Sequence, residues 1–286
     1  MNRIPVFYSP QQSLEKVISF SKSPNKPKLL ADFWKQQKLP VQFHNVKPID
    51  REIYKLAHSA QYVDGLFSLK IVNGFGTFDK NVLNTLPYLT SSVIAAGELV
   101  LQSQTNEIAY SLSSGSHHSC WNSGGGFCSL NHNVTAAIYL KNKFKLKSIG
   151  LLDVDAHFSD GDFDIQKRLK LDWLKIYSFG GEGIKAANSN DWLQSFHAKC
   201  LEFETCDLVI VNCAVDPHLD DALGGVLTTE QMRRRDAIIF ETMKLLNKKT
   251  VVTLGGGYQE LGGTIQPVLD LHTNTLKEIS RIYLKS

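Results

Sequence analysis

Apolar positions along this chain alternate between short continuous runs and longer stretches of helical spacing. The short runs predict strands over Ile4–Tyr8, Val41–Val46, Ile108–Leu112, Ser148–Asp155, Trp173–Phe179, Leu208–Cys213 and Thr250–Leu254. Apolar residues recurring every three or four positions predict helices over Gln11–Phe20, Leu29–Gln37, Leu86–Gln102 and Val134–Leu140. Two more are predicted from Thr228 to Asn247 and over Pro267–Leu284. Asp50, just after Pro48, is placed to cap another helix through Leu56. Asn73-Gly74-Phe75-Gly76 reads as a loop. Leu208–Cys213 is nearly all apolar, as a strand buried on both faces must be. Strands alternating with helices predict an α/β fold, a central parallel sheet with helices on both faces. No repeat or linker divides the chain, so residues 1–286 read as a single domain.

The central run, Ile149, Leu151 and Leu152, passes directly into Asp153-Val154-Asp155-Ala156-His157. If the strand continues through Asp155, alternation puts Asp153, Asp155 and His157 on one face at its carboxyl end. Open α/β sheets bind ligands at that edge. The structural alternative is a strand ending in a solvated loop, with Asp160-Gly161 as its turn. Three further predicted strands lead into unusual loops. Ser114-Gly115-Ser116-His117-His118 and Gly124-Gly125-Gly126-Phe127-Cys128 follow Leu112, Ala214-Val215-Asp216-Pro217-His218 follows Cys213, and Gly255-Gly256-Gly257-Tyr258 follows Leu254. A parallel sheet would gather all four segments on one edge. Each also has an ordinary reading: a polar loop at the histidines, an Asx turn at Asp216, a tight turn at the glycines, a packed ring at Tyr258. A phosphate loop is disfavoured, because neither GxxxxGK[ST] nor a clean GxGxxG occurs.

Together the segments describe metal-assisted amide hydrolysis. Asp155, His157 and Asp216 supply two oxygens and a nitrogen, the protein ligands of a catalytic zinc with an open position. Their two negative charges leave the ion near neutral and able to polarise a carbonyl. His117 and His118 would act as base and acid beside the water. Asp153 and Asp160 could each hold the far nitrogen of one imidazole. Tyr258 offers a neutral hydroxyl to the developing oxyanion.

Composition narrows the setting. A net charge of +3 is small for 286 residues and argues against a nucleic-acid face built on charge alone. The basic clusters Lys141 to Lys147 and Arg233-Arg234-Arg235 read as solvated faces. Five cysteines without a CxxC pair oppose a disulfide framework or a thiolate zinc knuckle and suit a reducing compartment. The first residues lack a signal peptide's apolar core, and no run approaches the roughly eighteen apolar residues of a membrane span. A cytoplasmic protein is expected, its oligomeric state unreadable.

The sequence resembles the zinc-dependent histone deacetylase family on the arginase–deacetylase fold. The matching motifs are His117-His118, Gly126-Phe127-Cys128 with Asn131, Asp153-x-Asp155-x-His157-x-x-Asp160-Gly161, Asp216 followed by Asp221-x-Leu223-Gly224-Gly225, and Gly255-Gly256-Gly257-Tyr258. The glycine-rich stretches look most like the class IV branch and its bacterial relatives. The resemblance implies one Zn2+ on Asp155, His157 and Asp216, although these donors also accept Fe2+. It implies acid–base roles for His117 and His118, backed by Asp153 and Asp160, and carbonyl polarisation by Tyr258. Gly126 and Phe127 would line a tunnel for an acylated lysine, of a protein or peptide, or an acylated polyamine. A structural K+ would use Asp153, main-chain oxygens of Asp155 and His157, and Ser178 with Phe179.

The chain departs from the family at Phe158-Ser159, where His-Gly is frequent, and at His132, where an acid is usual. Ser178 to Gly183 supplies no clear second aromatic wall, which leaves acyl-chain preference open. Two alternatives stand beside amide hydrolysis. An arginase-type ureohydrolase would hold two manganese ions and need Asp220 and Asp221 turned inward. A non-catalytic binder of acylated lysine would keep the pocket without turnover.

Overall fold

The computed structural model describes residues 2–14, 22–105, 107–259 and 263–284. Its strands are β1 (Ile4–Phe7), β2 (Val41–His44), β3 (Ile108–Ser114), β4 (Ile149–Asp153), β5 (Leu174–Ser178), β6 (Leu208–Cys213) and β7 (Lys249–Leu254). They form one seven-stranded sheet in the order β2-β1-β3-β7-β6-β4-β5. Every neighbouring pair is parallel. The predicted α/β class and parallel sheet are therefore observed.

The helices are α1 (Lys26–Gln36), α2 (Ala60–Phe67), α3 (Lys80–Gln102), α4 (His132–Phe144), α5 (Asp160–Leu169), α6 (Ser189–Leu201), α7 (Thr229–Leu245) and α8 (Gln266–Tyr283). They cover both faces of the sheet. Val209 and Val211 of β6 pack with Trp34, Phe196, Phe240 and Ile279, from α1, α6, α7 and α8. Leu208 and Ile210, on the opposite face, pack with Val93, Val134 and Ile165, from α3, α4 and α5. Period-2 alternation thus sends one strand's side chains into two cores, and all six residues of β6 are buried.

Several boundaries differ from the sequence reading. The β4 strand stops at Asp153 rather than Asp155. The backbone then turns, because Asp153 Oδ1 accepts from Asp155 N at 2.8 Å and Asp155 Oδ1 from His157 N at 3.0 Å. These side-chain bonds replace the ladder. The predicted helix over Gln11–Phe20 begins as a 3-10 turn at Pro10–Gln12, and residues 15–21 lie outside the described residues. Asp50 does act as a cap, accepting from Glu52 N at 2.9 Å, but for a 3-10 helix over Arg51–Leu56. The α3 helix starts six residues before Leu86, capped by Asp79, and carries Pro87 in its interior. Sequence periodicity gave no sign of α2, α5 or α6. Arg233 and Arg234 are exposed as expected, but Arg235 is fully buried.

Candidate active site

All four chemical segments meet at the carboxyl edge of β3, β4, β6 and β7. Among the described residues, Asp155, His157 and Asp216 form one group whose donor atoms all lie within 4.8 Å of one another. His157 Nδ1 lies 2.9 Å from Asp155 Oδ1 and 2.9 Å from Asp216 Oδ2. Only the first contact has hydrogen-bond alignment, so Asp216 Oδ2 is buried with no donor aimed at it. A Cβ at Gly256 would reach within 2.5 Å of Asp216 Oδ2 and 2.9 Å of Asp155 Oδ2, so only glycine leaves this space open. One imidazole and two carboxylates around such a space fit Zn2+ or Fe2+.

The electrostatics agree with that fit. Burial and the charge of Asp155 push Asp216 well above the usual carboxylate range. Burial also acts on Asp155, but His117 and His157 outweigh it and hold this acid well below that range. The bond to Asp155 and the closeness of the Asp216 carboxylate raise His157 to about 10. The ligands therefore share protons where a cation would carry the same charge.

The two histidines stand beside this group, each backed by an acid. His117 Nδ1 is 2.7 Å from Asp153 Oδ2, and His118 Nδ1 is 2.6 Å from Asp160 Oδ1. The two rings lie 4.1 Å apart, and the His118 ring is 5.8 Å from that of His157. Asp153 is fixed from its other side by Asp155 N and by Asn212 Nδ2 at 3.1 Å. Burial works against a charged His117, but Asp153 and Asp155 outweigh it and raise its pKa well above the ordinary value.

A narrow cavity joins His117, Asp155, Gly256 and Tyr258 with Gly126, Phe127 and Phe75. Phe127 adopts φ 65°, rare for a residue with a side chain. It is held there by Phe127 N donating to Gly74 O at 3.0 Å. Its ring sits 5.5 Å from Phe75 and 5.9 Å from Tyr258. A Cβ at Gly126 would collide with His118 at 2.4 Å, so the loop carrying Phe127 packs directly on this histidine. Tyr258 N donates to Asp221 Oδ2 at 2.6 Å. Burial and the neighbouring acids keep its hydroxyl protonated by raising its pKa.

Phe75 supplies the aromatic partner that Ser178 to Gly183 does not. Phe179 is buried against Trp192, with ring centroids 4.7 Å apart. The signal available in the sequence was an aromatic residue inside a glycine loop. Asp153 and Ser178, two of the potassium candidates, are register partners on β4 and β5. Of the two acids an arginase-type site would need turned inward, one faces solvent and the other is committed to backbone donors. Asp220 is 82% exposed, and Asp221 accepts from Leu223 N and Tyr258 N.

Sequence reasoning also missed a buried polar network beneath the histidines. Asn131, the cap of α4, accepts from Ser116 Oγ at 3.0 Å and donates through Nδ2 to Asp162 Oδ1 at 2.6 Å. Its backbone N–H donates to His58 Nε2, and His58 Nδ1 donates to Cys120 O, both at 2.9 Å. The turn carrying His117 and His118 is thus held at both ends. Burial lowers His58 to about 4, keeping it neutral in this bridge.

Comparisons with known proteins bear on the same features. Residues 20–170, just over half of the chain, match the histone deacetylase domain. An uncharacterized protein of Picosynechococcus sp. is 24% identical over 241 residues, covering 77% of this chain and 79% of that protein. The HDA15 HD domain superposes with a TM-score of 0.78 at 14% identity, covering 100% of this chain and 90% of its own. The acetylpolyamine aminohydrolase of Burkholderia pseudomallei superposes with a TM-score of 0.73 at 16% identity, covering 98% and 99%. No helix among the described residues is long and apolar enough to cross a membrane. By its matched domain and its fold, the chain belongs to the histone deacetylase family and, with it, to the deacetylase-type amidohydrolases.

Proposed function

We propose that this chain uses a single divalent cation to remove an acyl group from an acylated lysine or an acylated polyamine. The observation that carries the reading is the convergence of Asp155, His157 and Asp216 beside two carboxylate-backed histidines, with Asp155, His117 and Tyr258 lining one cavity. Zn2+ is the expected ion, with Fe2+ accepted by the same donors. When bound, the cation polarises the acyl carbonyl and makes water a nucleophile near neutral pH.

The chain's own groups supply the remaining chemistry. His117 Nδ1 is committed to Asp153, and a cation held by Asp155 would offset one of the two charges that keep the ring protonated, which would leave Nε2 to take the proton of the attacking water. His118, similarly oriented by Asp160, gives its Nε2 proton to the leaving nitrogen. The carbon–nitrogen bond then breaks, and the products are a carboxylate and a free amine. Tyr258 donates its hydroxyl to the carbonyl oxygen as negative charge develops there. Phe127 and Phe75 exclude water from the alkyl chain carrying the amide. A structural K+ at Asp153 and Ser178, with main-chain oxygens of Asp155 and His157 and the Phe179 region, belongs to the same proposal.

The matched histone deacetylase domain and the name of one solved relative, an acetylpolyamine aminohydrolase, support acylated amines as the substrate class. A turnover screen across acyl-lysines of increasing chain length and acetylpolyamines, with metal content measured on the same sample, tests the reading. Cleavage of at least one of these amides is expected. The Tyr258→Phe variant should lose about 100-fold to 1,000-fold in kcat with KM nearly unchanged. A fully metal-loaded preparation that cleaves none of them overturns the proposal.

A further inference from the structure

Arg235 and Asp236 sit on α7 with 0% and 2% exposure, outside the cavity just described. Arg235 Nε donates to Asp236 Oδ1 at 2.8 Å, and Nη2 stands 2.8 Å from the same oxygen. Asp236 Oδ2 accepts from Thr275 Oγ1 of α8 at 2.7 Å. Stability does not account for such a pair, because apolar side chains of similar volume commonly do as well or better in a core. What an apolar side chain could not supply is the remaining bond. Arg235 Nη1 donates to the carbonyl of Ala214 at 3.0 Å.

Ala214 is the first residue after β6 and lies two positions before Asp216. Its backbone and side chain press so closely on the last loop that a Cβ at Gly255 would fall 2.3 Å from Ala214 Cβ. The next residue continues the contact, with Val215 N donating to Gly256 O at 3.0 Å. Gly256 N in turn donates to Asp155 Oδ2 at 2.9 Å. A path of bonds and contacts thus runs from the guanidinium through Ala214, Val215 and Gly256 to Asp155, with Asp216 on the same loop.

We infer that Arg235, oriented by Asp236, is a positioning residue that fixes the separation of the two carboxylate ligands by anchoring the loop from Ala214 to Asp216. This inference rests on the metal-site reading above. Groups that orient metal ligands from behind commonly change metal affinity by about 10-fold to 100-fold when removed.

The test uses the full chain stripped of metal and titrated with Zn2+ against a chromophoric chelator, with circular dichroism and melting recorded for each protein. The parent should bind one Zn2+ per chain, and Asp216→Asn should abolish that binding. The double variant Arg235→Met/Asp236→Leu should keep its fold and bind Zn2+ about 10-fold to 100-fold more weakly. Arg235→Lys should fall between parent and double variant, because one ammonium cannot hold both Asp236 and Ala214 in the same fork. It carries the comparison alone if the double variant does not fold. Folded variants that match the parent's Zn2+ affinity within about twofold, whatever happens to their melting temperature, overturn the inference and leave the site reading intact. A parent that binds no Zn2+, or an Asp216→Asn variant that binds as well as the parent, overturns the site reading and the inference with it.

Discussion

The imidazole of His117 is hydrogen-bonded to Asp153 at 2.7 Å with both side chains nearly sealed from solvent. The neighbouring pair, His118 and Asp160, repeats the contact at 2.6 Å with more than half of Asp160 exposed. Identical chemistry in different surroundings should give unequal effects. A buried carboxylate acts on its partner with little screening, whereas water and salt weaken an exposed one. Asp153→Asn is expected to lower kcat by about 1,000-fold, within the range that acid–base catalysis supplies. Asp160→Asn should cost only about 10-fold, since it leaves His118 in reach of water. Steady-state kinetics on one acylated amine, with matched metal content, checks the ranking. Equal losses would show that burial does not separate the two pairs.

Removing the proposed cation should destabilise the fold as well as stop turnover. Asp155 and Asp216 are both buried, and without a cation their charges are balanced only by protons shared with the nearby imidazoles. A cation that binds only the folded chain stabilises it by mass action, by about 2.7 kcal/mol at a concentration 100-fold above Kd. At an unfolding entropy of about 2.1 cal/mol/K per residue, a chain of this size would melt about 4–5 °C higher. Chelator-stripped protein should therefore melt lower than the loaded form and recover on adding Zn2+. Asp216→Asn should melt at one temperature with or without the ion. Identical melting of the loaded and stripped parent would exclude a cation bound to the folded site.

What the sequence disclosed, and what it withheld, follows from the range of the forces involved. Strands such as Leu208–Cys213 were legible because six consecutive buried positions leave few other local readings. The shared edge was legible because parallel strands all point their carboxyl ends one way. The turn after Asp153 was not, since alternation describes a strand and here side-chain oxygens captured the next amides instead. The α5 helix is strongly polar, with Ile165 as its one fully buried apolar side chain, so it left little periodic signal. Arg235 looked solvated beside Arg233 and Arg234 because its partner carbonyl is 21 residues away in sequence. The His58–Asn131 bond spans 73 residues, and nothing local to either residue announces it.

Asp162 carries a pH dependence that belongs to the fold. Burial raises its carboxyl to about 7, with the charge of Asp153 adding to the effect and the hydrogen bond from Asn131 opposing it. The folded chain therefore holds a proton here that the unfolded chain releases near pH 4. Between those values the folded state binds more protons, so stability falls as pH rises from about 4 to 7 and levels off above. The shift corresponds to a swing on the order of 4 kcal/mol. Asp162→Asn keeps an oxygen for Asn131 Nδ2 but cannot ionise. Its melting temperature should exceed the parent's at pH 8, with the difference shrinking toward pH 5. Parallel melting curves for the two proteins across that interval would remove Asp162 as the source.

Gly256 separates a steric requirement at the proposed metal site from a conformational one. It does not adopt the left-handed backbone that favours glycine, unlike Gly257 at φ 148°. Alanine at position 256 therefore meets little backbone strain, and its effect comes from the new methyl group. That methyl would stand 2.5 Å from Asp216 Oδ2 and 2.9 Å from Asp155 Oδ2. Neither carboxylate is free to retreat. Asp155 Oδ1 accepts from His157 N at 3.0 Å, and Asp216 Oδ1 accepts from Ala156 N at 3.2 Å. The acids must move apart and break those bonds, or the loop must lift and lose the 2.9 Å bond from Gly256 N to Asp155. Either response spoils the donor spacing, and overpacking of this kind costs about 1–3 kcal/mol. Gly256→Ala is expected to fold with a modestly lower melting temperature and to bind Zn2+ at least about 100-fold more weakly than the parent, as loss of ligand geometry demands. Zinc titration of the purified variant reads this directly, and parental affinity would mean that the carboxylates tolerate a wider separation than their present contacts allow.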